Sequence, residues 1–80
     1  MHVGGVELSA VDVADLIGRL ETGGGRELAG RMGLAFDANR PAMLLNRADR
    51  AVIVDALSVP SNEPSFALRE FRDMLRDELP

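Results

Sequence analysis

Eighty residues make one small domain, and a chain of this length buries only roughly 60 to 65% of the surface that its unfolded form exposes. The absence of Cys excludes disulfides, thiol chemistry and every Cys-based zinc or iron–sulfur site, and His2, the single histidine, leaves a Ser/His nucleophile system or a His-built metal site without its parts. A formal net charge of −4 favours solubility and argues against a general nucleic-acid binder.

The aromatic content is Phe36, Phe66 and Phe71 alone, so aliphatic side chains and four Met supply nearly all of the core. A core that thin is a reason to expect a protein partner or a second copy of the chain to complete it. All nine cationic residues are Arg; with abundant Ala, Gly, Val, Asp and Leu this is the composition of GC-rich coding, as in many bacteria and their phages. No basic stretch followed by an apolar run opens the chain, and no apolar run approaches the roughly 18 residues of a membrane span. A cytoplasmic location and no membrane partner are therefore expected.

In chain order, Val3 to Leu8 reads as a short extended lead-in, with His2 in a mobile N-terminal tail. Ser9 caps a first helix from about Ala10 to Glu21, whose Val13, Leu16, Ile17 and Leu20 form one apolar stripe. Asp12, at the third helical position, is placed to reach back to free amides. Thr22-Gly23-Gly24-Gly25 ends this helix. The glycines stand at the mouth of the next helix, where phosphate cradles occur, but no Lys-Ser/Thr follows them and no convincing strand enters them, so an ordinary helix connection is the better reading.

The second helix runs from about Arg26 to Asp37 and buries Leu28, Met32, Ala35 and Phe36, stopping before Asn39-Arg40-Pro41. Within it, Glu27-Leu28-Ala29-Gly30-Arg31-Met32-Gly33-Leu34 resembles the opening helix and turn of helix-turn-helix DNA-binding domains, in which a small residue and a turn glycine let a recognition helix cross closely. That resemblance covers eight residues and implies a DNA-binding regulator, whose basic face would be Arg26, Arg31 and Arg40 or the arginine stripe of the last helix. Asp37 and Pro41, however, fall where a recognition helix needs donors and an unbroken backbone, so nucleic acid is not the expected partner.

Ala42 to Leu45 is a second extended lead-in, and Asn46 caps a third helix from about Arg47 to Leu57. Ala51-Val52-Ile53-Val54 also fits a buried strand. An internal repeat assigns it to a helix: Val6 to Leu20 lies over Met43 to Leu57 at an offset of 37, with Leu8, Asp12, Ala14 and Leu20 matched by Leu45, Asp49, Ala51 and Leu57. Apolar nearly all round, this helix is expected at the centre. After the loop Val59 to Pro64, a fourth helix from about Pro64 to Leu79 turns Leu68, Phe71, Leu75 and Leu79 inward, flanked by Ala67 and Met74.

The predicted fold is therefore mainly α, a single domain over residues 1–80. Two helix-loop-helix repeats, 6–37 and 43–79, are related by a pseudo-twofold axis, and their lead-ins pair as a two-stranded ribbon. No catalytic pair, cofactor or metal site is expected. On the last helix Arg69, Arg72 and Arg76 share one face, beside Glu70, Asp73 and Asp77 on the next. The bland reading is a solvated, charge-compensated helix; the functional one is an Arg stripe facing an acidic partner or a subunit mate. The expected function is a non-catalytic, regulatory protein-binding module, with a DNA-binding regulator or a self-assembling subunit as alternatives.

Overall fold

Four stretches of helical periodicity become four helices in the computed structural model, which describes residues 1–79: α1 Ala10–Thr22, α2 Arg26–Asp37, α3 Arg47–Ala56 and α4 Phe66–Glu78. Three start where a side-chain oxygen stands in for the missing helical acceptor. Ser9, Asn46 and Ser65 accept from the amides of Asp12, Asp49 and Leu68 at 3.2, 2.8 and 3.2 Å. Each such cap contributes on the order of 1 kcal/mol. Because Ser65 is the cap, α4 begins at Phe66, later than the proline expected to open it.

Three two-residue strands, β1 His2–Val3, β2 Val6–Glu7 and β3 Ala42–Met43, form one small sheet in the order β2-β1-β3. The lead-ins thus do pair, Val3 with Met43, but as part of a three-stranded sheet and not as a two-stranded ribbon. Gly4 and Gly5, with φ of 58° and 86°, make a two-residue turn that folds His2–Val3 back antiparallel onto Val6–Glu7, and β3 then pairs parallel to β1. Both glycines hold the left-handed conformation that such a turn demands. At Gly4 a Cβ would also lie 2.8 Å from Leu45 Cδ1. His2 therefore belongs to the central strand, not to a mobile tail.

The core gathers Val13, Leu16 and Leu20 of α1, Met32 of α2, Ile53 of α3 and Leu68, Phe71 and Leu75 of α4 around Val3, Leu8 and Leu57. The central helix is α1, which packs on all three others, and not α3. The apolarity of α3 misleads because it is not spent on burial: Ala51 is exposed, Val52 and Val54 are half-buried, and only Ile53 and Ala56 among its apolar residues turn fully inward. In α4 the expected flanks, Ala67 and Met74, are exposed, and Leu79 is half-buried just past the helix end.

Positions that overlie in the sequence repeat often share an environment. Leu8 and Leu45, Leu16 and Ile53, and Leu20 and Leu57 are all buried, while Ala14 and Ala51 are both exposed. α1 packs chiefly on α2 and α3 on α4. Where α1, α2 and α3 converge, Gly25 is buried, and a Cβ there would lie 2.9 Å from both Leu20 Cδ2 and Val52 Cγ1. The third glycine of the connecting loop is thus explained by close packing.

Candidate interaction surfaces

The repeat breaks at its acidic pair. Asp49 completes a reciprocal cap, accepting from the Asn46 amide at 3.1 Å while Asn46 accepts from the Asp49 amide. Its carboxylate also takes both arms of the Arg31 guanidinium, at 2.7 and 3.3 Å, which ties α2 to α3. Asp49 is only 5% exposed, the one charged residue in the interior among the described residues. The hydrogen bond from Arg31 holds its carboxyl below the ordinary carboxylate range; burial works the other way, and the Asn46 amide adds to the lowering. Arg31 is correspondingly raised, chiefly by the same bond.

Asp12, its counterpart, does not reach back to its own helix start. Its Oδ1 accepts from the Ser65 hydroxyl at 2.8 Å, which fixes the beginning of α4 against α1. A carboxylate at the third helical position has two available targets, and the neighbour supplied by the fold decides between them.

Arg19 performs a comparable task that nothing in its spacing announced. Its side chain is 9% exposed; Nε donates to Asp15 at 3.1 Å, and the remaining nitrogens donate to the Asn62 carbonyl, to Asn62 Oδ1 at 3.4 Å and to the Glu63 carbonyl at 3.3 Å. The loop between α3 and α4 is stapled to α1 by this one guanidinium. Replacing Arg19 with Ala is expected to cost about 1.5–3 kcal/mol, as for hydrogen bonds made by a charged group. Exchange of the Asn62 amide, which donates to the Val59 carbonyl at 3.2 Å, should quicken at least tenfold, and Arg19→Lys should rescue only part, because an ammonium has no fork. Unchanged exchange in that loop would remove the staple as an explanation.

The three arginines of α4 separate into different roles. Arg72, 19% exposed at its side chain, donates to the Leu57 carbonyl at the end of α3 at 3.2 Å and meets Asp73 at 3.2 Å. Arg76 bonds the Ser58 hydroxyl at 3.2 Å and lies 3.7 Å from Asp73. Both place positive charge at the C-terminus of α3, where the helix dipole favours it. Arg69 lies 3.7 Å from Glu63 and 5.8 Å from the centre of the Phe66 ring. The outward members of the stripe are therefore Arg69 and Arg76, each with a carboxylate beside it.

On the outer side of α4, opposite Leu68, Phe71 and Leu75, stand Phe66 at 67% exposure and Met74 at 50%, with Ala67, Glu70 and Asp77 between and beyond them. These positions recur at intervals of three and four and so form one face. The other large exposed apolar residues, Val11, Leu34, Leu44 and Val59, lie on other elements or loops.

A cleft of about 440 Å³ is bounded by His2, Glu7, Phe36, Arg40 and Pro41. On its wall His2 Nδ1 lies 2.8 Å from Glu7 across the strand pair. The helix-turn-helix likeness fails in the structure, because α2 continues through Gly33 to Asp37 and no second helix starts there. Among the described residues no cluster of three or more metal-ligating side chains occurs, and no helix is long and apolar enough to cross a membrane. Compared with family models, curated proteins and solved structures, the chain matches none.

Proposed function

We propose that this chain is a non-catalytic protein-binding module of the cytoplasm that engages its partner through the outer face of α4. The observation that carries this reading is the exposure of Phe66 and Met74 on the side of α4 turned away from a core that already buries Leu68, Phe71 and Leu75. A helix that satisfies the core with one face and displays a large aromatic and a thioether on the other has apolar surface left to bury against something else. Arg69 and Arg76 border this face, and Arg72 serves the end of α3 instead.

The test compares capture from the native host by the wild-type chain and by Phe66→Ser/Met74→Ser. Because both side chains are exposed, far-UV circular dichroism should be unchanged, whereas a partner retained by the wild type should be lost by the double variant. Equal capture by both proteins would sink the assignment of the face.

A further inference from the structure

We propose that the partner of this face is a basic amphipathic helix, seated with its apolar side on Phe66 and Met74 and its cationic side chains against Glu70 and Asp77. The inference rests on the protein-binding reading above and names the chemistry of what binds there. The arginine stripe by itself points to an acidic partner; the structure reverses that sign.

Arg72 turns toward the carbonyl end of α3 and leaves the outer side of α4 to Arg69 and Arg76. Each of these is matched within the chain, Arg69 by Glu63 and Arg76 by Asp73. Glu70 and Asp77 are exposed and, among the described residues, have no cation within ion-pair distance. The uncompensated charge of the face is therefore negative. Phe66 and Met74 lie eight residues apart, about 12 Å along the axis, which is about 2.2 helical turns and suits the anchors of a second helix laid alongside. Methionine's flexible thioether adapts to whatever side chain meets it.

A second copy of the chain is a poor occupant. Pairing two α4 helices about a twofold axis sets the line Glu70 and Asp77 of one copy against the same line of the other, and like charges placed together oppose association. A cationic helix meets the same line with complementary charge.

The experiment titrates the isotopically labelled full chain with three designed helical peptides of the same apolar face, whose polar positions are all Lys, all Gln or all Glu. The Lys peptide should shift amide resonances of α4's outer residues, bind at least tenfold more weakly to Glu70→Arg/Asp77→Arg, and fail to bind Phe66→Ser/Met74→Ser. The native-like amide spectrum of each variant serves as the folding control. Shifts spread over the whole acidic surface would overturn the proposal, as would absence of binding. Equal binding of the Gln or Glu peptide on α4 would reject the basic partner while leaving α4 a protein-binding face. Concentration-dependent shifts of that face without peptide, with a sedimenting mass of two chains, would assign it to a second copy instead.

Discussion

Replacing Phe71 with Ala should cost the chain a large share of its stability. Phe71 is fully buried, and of the three phenylalanines it is the only one so placed: Phe66 is exposed and Phe36 half-buried. Its ring belongs to a core whose other buried members are aliphatic side chains and Met32. Truncating a buried Phe costs about 3–5 kcal/mol, from lost transfer free energy and from the cavity left behind. A domain of this size has a total stability of roughly 4–12 kcal/mol at the usual per-residue value, so the loss is a large share of the whole. The midpoint of thermal unfolding should fall by more than about 12 °C. With no Trp or Tyr, the measurement is the helical circular dichroism signal in heat and urea melts. Phe71→Leu, which keeps most of the volume, should cost less than about 1.5 kcal/mol. A loss under about 1 kcal/mol for the alanine variant would mean that the ring is not a centre of packing.

The second large effect is expected at Asp49. Asp49→Ala removes the Asp49 carboxylate's half of the reciprocal cap of α3 and both bonds to Arg31 at once, while the Asn46 side chain keeps its bond to the backbone amide of residue 49. The expected cost is about 2–3 kcal/mol, below the range for a fully buried pair because Arg31 is 44% exposed and recovers water. The effect is pH-dependent, with a definite sign. The carboxyl of Asp49 lies lower in the folded chain than in the unfolded one, so the folded state favours the ionised form. Its contribution is complete above the unfolded value of about 3.9 and disappears as pH falls through the folded value. The stability difference between wild type and Asp49→Asn should therefore be constant from about pH 5 to 7 and shrink below about pH 4. A difference that persists unchanged to about pH 2 would show that shape, and not charge, is what Asp49 supplies. Arg31→Ala should abolish most of the same pH dependence, and the double variant should cost less than the two single variants together.

Much of the secondary structure was legible because it rests on local physics. Ser9 and Asn46 hold extended backbone and cap the helices that begin one residue later, Gly23 ends α1, and the Asn39-Arg40-Pro41 stretch ends the second helix. The stripes Val13, Leu16, Leu20 and Leu68, Phe71, Leu75 are buried as their spacing requires. Ala51 to Val54 is helical despite its β-branched residues, in agreement with the segment it repeats. The candidate face was legible only in part. Periodicity places Arg69, Arg72 and Arg76 together, but the inward turn of Arg72 depends on where the end of α3 lies.

By itself the sequence determined four helices, the caps of two of them, the glycine-rich connection, the apolar stripes and the absence of thiol chemistry. Each of these is dictated by neighbours within a turn or two, or by composition. Only the tertiary structure decided that Gly4-Gly5 folds the lead-in into a hairpin, that α1 and not α3 is central, and that Asp12 and Asp49 take different partners. It alone showed Arg19 and Arg72 serving as ties between elements, which leaves the exposed side of α4 apolar and acidic. The physical reason is common to all of them: a side chain's role depends on which donor, acceptor or apolar surface a distant segment brings within reach, and periodicity carries no information about distant segments.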